Sequence, residues 1–378
     1  MEFKGLKREY EVFGPRILER VRGVLSRGEF ILGEEVAELE RELADYAGVR
    51  HCISCANATD GLILALMALG ISSGDAVFTP DFSYVASAGC VSILGAVPVF
   101  VDIERETFNM SPDSLDSAIR AAQTEGLRCK GIIAVDLFGL PCGYEALREI
   151  ADRYSLPIIE DGAQGFGGTI GSRRACSFGD VGVTSFFPAK PLGAYGDGGA
   201  LFTDDDALAD KLWSLRSNGR SKADKYENVR VGFNSRLDTV QAAILLEKLG
   251  AFDRTLETVG RAADSYNRAF RDIVEAPTVP AGFSSSWAQY TITTRSSLER
   301  ATLQEYLRRR NIPSQIYYGR PLHMQPALQN GRVVVDTRWS QYAAERVLSL
   351  PIHAFITEDE LALVIDSVKE FYEEWGRP

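Results

Sequence analysis

Short apolar runs alternate with amphipathic stretches through the first half of the chain. Four of these runs are rich in β-branched residues: AVFTP (76–80), VPVFVD (97–102), GIIAVD (131–136) and LPIIED (156–161). Each predicts a strand that is buried on both faces. Residues 34–46 instead have apolar positions at helical spacing, which predicts an amphipathic helix. This alternation indicates βαβ units around a largely parallel sheet.

The pattern changes in the second half of the chain. A charged stretch over 217–230 precedes a helical pattern from Asp238 to about Leu249, which we expect to leave the first domain. A Pro-Gly-Ser break lies near 277–286. We therefore expect a large domain over residues 1–250 and a smaller C-terminal α+β domain over 251–378.

Composition narrows the classes of protein to consider. The chain has 378 residues, and its 41 basic and 52 acidic side chains give a net charge of −11, which disfavours binding to nucleic acid or to anionic membranes. The opening residues lack the apolar core of a signal peptide, and no stretch approaches the roughly 20 apolar residues of a membrane span. We expect a cytoplasmic protein.

The six cysteines are too sparse for a disulfide scaffold. Cys52 and Cys55 have a spacing that can mark zinc binding or thiol exchange, but no second pair follows and the chain has three histidines. We expect reduced thiols and no metal. The glycine-rich segments at 165–168 and 196–199 do not complete a dinucleotide fingerprint, which disfavours a nucleotide-dependent oxidoreductase.

Two segments carry candidate chemistry. In IIEDGAQGFGG (158–168) a buried strand ends at Asp161, with Gln164 in the following turn. In TSFFPAKPLGAYGDGGAL (184–201), Lys190 lies between prolines and ahead of a glycine-rich turn. Alone, such an aspartate is usually a turn cap and such a lysine a solvated charge. Together they suit pyridoxal phosphate, whose protonated ring nitrogen needs a carboxylate and whose aldehyde needs an amine of lowered pKa.

The cofactor's phosphate would need local donors in so acidic a protein. The helix predicted over residues 59–69, with Thr59 or Asp60 as its N-cap, offers free backbone amides at Ala58 and Thr59, and the hydroxyl of Ser185 is a further donor. A third polar segment contains Asn234 and Arg236 directly before the next helical pattern.

These blocks resemble the StrS/DegT sugar aminotransferases, a family with the fold-type-I, aspartate-aminotransferase-like architecture. The resemblance runs from GEFILG (28–33) to SLPIH (349–353). The blocks that carry it follow in the family's order: SCANATDGL, IEDGAQGFG, SFFPAKPLGAYGDGGAL and GFNSRLDTVQAAIL.

The resemblance implies a role for each of these residues. Lys190 would bond to the cofactor and move protons, Asp161 would face the pyridine nitrogen, and Gln164 would lie near the phenolic oxygen. Tyr84 would stack on the ring, with packing in the core as the alternative. The remaining implied ligands hold the phosphate: Ala58, Thr59, Ser185 and, from a neighbouring subunit, Asn234. The implied assembly is a homodimer with shared active sites.

The local resemblance is strongest to aminotransferases of UDP-3-keto-hexosaminuronic acids used in surface polysaccharides such as lipopolysaccharide. It implies glutamate as donor and a 3-keto UDP- or dTDP-sugar as acceptor. The candidate sugar contacts are Arg230, Arg236, Tyr317, Tyr318, Arg320 and His323. Uronate-specific relatives tend to have His-Tyr-Pro where this chain has Tyr317-Tyr318-Gly319, so a neutral sugar stays open. The alternatives are a 4-keto sugar and a non-catalytic regulatory protein.

Overall fold

The computed structural model describes residues 1–224 and 226–375. The α-helices within these ranges are α1 (Leu6–Arg27), α2 (Glu34–Ala47), α3 (Ala58–Ala68), α4 (Ala86–Ile93), α5 (Pro112–Thr124), α6 (Tyr144–Tyr154), α7 (Asp206–Leu215), α8 (Thr239–Leu249), α9 (Phe252–Phe270), α10 (Ser297–Arg309), α11 (Arg338–Arg346) and α12 (Glu358–Trp375). The strands are β1 (His51–Cys55), β2 (Asp75–Pro80), β3 (Val97–Val101), β4 (Arg128–Val135), β5 (Ile158–Asp161), β6 (Thr169–Ile170), β7 (Arg173–Arg174), β8 (Val181–Ser185), β9 (Gly199–Thr203), β10 (Phe283–Ser284), β11 (Tyr290–Thr293), β12 (Arg332–Val333) and β13 (Val347–Leu350).

The main sheet has the strand order β1-β9-β8-β5-β4-β2-β3-β12. Strand β9 runs antiparallel to both of its neighbours, whereas the pairs among β8, β5, β4, β2, β3 and β12 are parallel. The predicted fold class, an α/β protein of fold type I with a large and mostly parallel sheet, is confirmed.

The four apolar runs form β2, β3, β4 and β5, and the helix predicted over 34–46 is α2. Parallel registry aligns their C-terminal ends, since Val135 pairs with Asp161 and Asp161 pairs with Val183. The polar residues that end or follow these strands therefore meet at one edge of the sheet. That edge is where the candidate chemistry lies.

Helix α3 is apolar around its whole circumference, which indicates a helix enclosed by other elements. It packs against α4, α7, β8 and β9, and Leu64 in its middle is fully buried. A helix held in this way has little freedom to move. Its N-terminus is therefore fixed above the strand ends.

A second hydrophobic cluster forms from α9, α10, α12 and the β11–β13 pair, around Tyr266, Phe270 and Leu303.

Helix α8 packs against α1 and α2, and its Leu245 belongs to the core beside the main sheet, so the expectation that it leaves this part of the molecule was wrong. Strand β12 returns to pair with β3. Strand β10 likewise pairs with β6, so the proposed division into 1–250 and 251–378 has several later segments that pack on the larger part.

Within the described ranges, no helix is long and apolar enough to cross a membrane. The six cysteines are free thiols, five of them buried. Burial raises the pKa of Cys55 to about 12, so this thiol is protonated at neutral pH. A protonated thiol is a poor nucleophile and a poor metal ligand.

Candidate active site

Asp161 is the last residue of β5 and lies at the centre of the strand-end edge. Its side chain is 6% exposed, and its Oδ1 accepts a hydrogen bond from the backbone N–H of Ala163 at 3.3 Å. Strands β4 and β8 flank it on both sides. The carboxylate therefore has a fixed position and little access to water.

The loop that carries Lys190 joins β8 to β9 and is held in place by hydrogen bonds to side chains of α8. Buried Lys248 donates to the carbonyl oxygen of Gly193, and Gln241 accepts from the backbone N–H of Tyr195 at 3.0 Å. These two α8 side chains were missed in the sequence. A lysine inside the apolar run of a helix was the available signal for Lys248, since lysines are rarely fully buried without a partner.

Asp161 and Lys190 interact electrostatically in this buried site. Burial raises the pKa of Asp161, and the positive charge of Lys190 opposes that shift. Burial lowers the pKa of the Lys190 amine, and Asp161 opposes that shift in turn. Each group thus keeps part of its charge through the other. A lysine with a lowered pKa is more often neutral and therefore nucleophilic.

Hydrogen bonds set the orientation of the Gln164 amide, whose side chain is 3% exposed. Its Oε1 accepts from the backbone N–H of Phe138 at 2.8 Å, and its Nε2 donates to the hydroxyl of Tyr318 at 3.3 Å. The hydroxyl of Ser286 donates to its backbone carbonyl at 2.7 Å. The NH₂ group therefore lies on the side of the aromatic residues and can serve as a donor there.

Gly199 brings the start of α3 close to the end of β8. It pairs with Cys55 on one side and with Ser185 on the other. A Cβ atom at Gly199 would lie 2.9 Å from the backbone nitrogen of Ala58, which is closer than real contacts allow. The backbone at Ala58 and the end of β8 at Ser185 therefore lie on either side of Gly199.

The cap of α3 differs from the prediction, since the helix begins at Ala58 and its N-cap is Asn57. The Asn57 side chain accepts from the backbone N–H of Asp60 at 2.9 Å. The preceding Ala56 donates its N–H to the hydroxyl of Ser235 at 3.1 Å. Ser235 was missed in the sequence, and it attaches the segment before α8 to this turn.

Three tyrosines line one side of the site. The Tyr318 ring lies 6.1 Å from that of Tyr84 and 5.7 Å from that of Tyr317, measured between ring centroids. Tyr84 is 55% exposed, so it is not packed in the core of the single chain. Tyr318 connects both tyrosines to Gln164 through its hydroxyl.

His323 is held by Asp81, the residue that follows β2. Its Nδ1 lies 2.5 Å from Asp81 Oδ2, and its backbone N–H donates to Oδ1 at 2.8 Å. Asp81 is fully buried, and burial raises its pKa to about 6 in spite of His323. One ring nitrogen of His323 is thus occupied within the protein, and Nε2 is the nitrogen available to a ligand.

The remaining candidates lie outside this contact network. Arg230, Asn234 and Arg320 are exposed, and Arg236 is half-buried. The described chain contains no group of three or more metal-ligating side chains placed to hold an ion.

The strand order, the mostly parallel sheet and the position of α3 define the class of fold-type-I pyridoxal-phosphate enzymes. The model of the DegT/DnrJ/EryC1/StrS aminotransferase family matches residues 13–369. The chain belongs to this family and is a pyridoxal-phosphate-dependent aminotransferase.

Relatives match over nearly the whole chain. UDP-2-acetamido-2-deoxy-3-oxo-D-glucuronate aminotransferase of Pseudomonas aeruginosa is 40% identical over 365 residues, covering 96% of this chain and 98% of the relative. UDP-N-acetyl-3-dehydro-alpha-D-glucosamine 3-aminotransferase of Acidithiobacillus ferrooxidans is 35% identical and covers 96% of both chains. A crystal structure of a DegT DnrJ EryC1 StrS aminotransferase from Brucella abortus has a TM-score of 0.96 and 45% identity, covering 98% of this chain and 99% of that one.

The residues of the site fit the cofactor of this class. The close approach at Gly199 would form a cradle for a phosphate, Asp161 would provide a carboxylate for a protonated ring nitrogen, and Lys190 would provide an amine.

Replacing Gly199 with alanine tests the cradle. The new methyl would displace the turn at Ala58, because the nearest atoms are backbone atoms that cannot rotate away. We expect Gly199→Ala to weaken cofactor binding at least about tenfold and to lower the free energy of unfolding by about 1–3 kcal/mol. Gly143→Ala is the matched control, since a Cβ there meets open space. Equal cofactor affinity in both variants, measured by fluorescence titration, would contradict this account.

Proposed function

We propose that this chain transfers an amino group from glutamate to the 3-keto carbon of a nucleotide-linked sugar. The observation that carries the proposal is that buried Asp161, at the end of β5, interacts electrostatically with half-buried Lys190 in the loop after β8. When bound, the cofactor supplies an aldehyde that condenses with amines and a ring that accepts the electron pair left by a departing proton.

Lys190 has two tasks in this proposal. Its amine, whose pKa burial lowers, forms the covalent bond that holds the cofactor between turnovers. Once a substrate amine has displaced it, the same nitrogen would take the proton from the substrate's α-carbon and release it at the cofactor's former aldehyde carbon. The fastened loop keeps this nitrogen within reach during both tasks.

Asp161 and Gln164 act on the ring. The Asp161 carboxylate holds a proton on the pyridine nitrogen, and its burial makes that ionic contact stronger than it would be in water. The Gln164 NH₂ group donates to the phenolic oxygen, because its Oε1 is already occupied by the Phe138 amide. Tyr84 stacks on the ring from its half-exposed position.

The phosphate would be bound by the α3 amides of Ala58 and Thr59 together with the Ser185 hydroxyl. The partial positive charge at a helix N-terminus favours an anion here, although the whole chain is acidic. Asn234 is exposed in the single chain, as expected for a side chain that reaches into a neighbouring subunit.

The relatives support a 3-keto sugar. Those from Pseudomonas aeruginosa and Acidithiobacillus ferrooxidans are named for a 3-oxo glucuronate and a 3-dehydro glucosamine, both linked to UDP. Tyr317, Tyr318 and Nε2 of His323 would contact the sugar. The diphosphate would be bound by the exposed or half-exposed arginines Arg230, Arg236 and Arg320. We further propose that the product serves in surface polysaccharide synthesis and that the enzyme is cytoplasmic.

We propose a homodimer with shared active sites. Several apolar side chains near the site are exposed in the single chain: Phe30, Ile31, Tyr84, Phe187, Val229 and Val231, at 47–86%. A surface of this kind is typical of a protein–protein interface. The 4-keto sugar and the non-catalytic regulatory role are the alternatives, and the intact set of Asp161, Gln164 and Lys190 disfavours the regulatory one.

Lys190→Ala tests the cofactor link. We expect the wild-type protein to absorb visible light and to retain the cofactor on Lys190 after borohydride reduction, as shown by peptide mass spectrometry. The variant would form no such adduct and would lose at least about a thousandfold in activity. Lys222→Ala, at an exposed lysine paired with Asp210, should behave as wild type. A colourless wild-type protein without an adduct would overturn the proposal.

The ring position can be tested in the reverse direction. With 2-oxoglutarate as acceptor, we expect glutamate to form from UDP- or dTDP-linked 3-amino sugars and not from the 4-amino isomers. Release of glutamate from the 4-amino sugars alone would replace the 3-keto proposal with the 4-keto alternative while leaving transamination in place.

Shared sites predict complementation between two inactive variants. In a dimer of one Lys190→Ala chain and one Asn234→Ala chain, one of the two sites contains both wild-type residues. Mixing the variants in equal amounts and allowing subunits to exchange should restore about a quarter of the wild-type activity. If each site were built from a single chain, the mixture would have only the summed activity of the separate variants.

A further inference from the structure

The five residues before α1 lie against the candidate active site. The ring of Phe3 is 6.3 Å from that of Tyr317, between centroids, and Lys4 Nζ donates to the backbone carbonyl of Ala288. A Cβ atom at Gly5 would overlap Nδ1 of His353, so the arm is in direct contact with that side chain. We call residues 1–5 the N-terminal arm.

The carbonyl that Lys4 contacts belongs to the same segment that holds Gln164. Ser286, two residues before Ala288, donates through its hydroxyl to the Gln164 carbonyl at 2.7 Å. The ammonium of Lys4 interacts electrostatically with Lys190. The arm therefore brings a second lysine to the site.

Half-buried Lys4 differs in its partner from Lys248, which is buried. Lys248 has a carboxylate partner, with its Nζ 2.6 Å from Glu9 Oε1. Among the described residues Lys4 has a backbone carbonyl as its partner and forms no ion pair. Burial and the charge of Lys190 together lower the pKa of Lys4 to about 7. A half-buried cation without an anion is unfavourable, and an entering carboxylate would relieve that cost.

We infer that Lys4 is a binding residue for a substrate carboxylate. The inference rests on the proposed function, since the ligand is a substrate of that reaction. Two substrates could supply the group: the amino donor through an α- or side-chain carboxylate, or the sugar through a uronate. In both cases the Lys4 ammonium forms a charge-assisted hydrogen bond with the entering oxygen while Phe3 keeps the arm on Tyr317.

The test compares Lys4→Met and Lys4→Arg with Lys7→Met, a change at an exposed lysine three residues along the chain. Equilibrium affinities of the cofactor-loaded enzyme are measured by calorimetry for 2-oxoglutarate, UDP-glucuronate and UDP-glucose. The last two probes differ in the C6 carboxylate. Thermal unfolding and the visible spectrum show whether each variant folds and binds cofactor.

We expect Lys4→Met to weaken binding of one carboxylate probe about tenfold to a hundredfold, with UDP-glucose unaffected and Lys4→Arg close to wild type. A loss for UDP-glucuronate alone assigns the sugar carboxylate, and a loss for 2-oxoglutarate alone assigns the donor. Unchanged affinity for both, or an equal loss for UDP-glucose, overturns the inference. If the wild-type enzyme forms the borohydride adduct on Lys190, the proposed function holds whatever the result at Lys4. Failure of the Lys4 inference can therefore be distinguished from failure of the proposed function.

Discussion

The electrostatic contact between Asp161 and Lys190 is the constraint around which the rest of the site is arranged. Asp161 is buried and Lys190 is half-buried, and loss of hydration alone would favour the neutral form of each group. Their mutual attraction opposes both pKa shifts and so favours the charged form of each group. The protein must therefore hold a strand end and a loop at a fixed separation, and it does so with β5 in the middle of a parallel sheet and with the α8 side chains Lys248 and Gln241 on the loop.

Three lysines near the site differ in the partners that satisfy their charge. Lys248 is structural, and the oxygens of Glu9 and Gly193 satisfy its charge permanently. Lys190 has a carboxylate in its surroundings that a cofactor nitrogen would share. Lys4 has a neutral carbonyl as its partner in the single chain. A buried charge that the protein satisfies completely contributes to structure, and one that it satisfies in part favours binding of a ligand.

Sequence patterns predicted the strands well because buried parallel strands are continuous apolar runs, and β2 to β5 match them closely. They failed where tertiary contacts decide the outcome. Helix α3 begins one residue before its predicted start and is capped by Asn57, since the close approach at Gly199 sets where the turn lies. The direction of β9 and the packing of α8 on α1 also depend on contacts between distant segments. Residue types alone could not have shown that Lys4 lies near Lys190, because 185 positions separate them in the chain.

Gly199 shows how one backbone position connects fold and chemistry. Gly199 is the first residue of β9, which lies antiparallel between β1 and β8. The same strand therefore separates the start of α3 from Ser185. Any side chain there would widen that gap, since the nearest atoms belong to the backbone of Asn57 and Ala58. Binding of an anion between these donors therefore requires a glycine at position 199, although the glycine itself would not contact the anion. The antiparallel strand is thus part of the site as much as part of the sheet, and its first residue has to be glycine for geometric reasons.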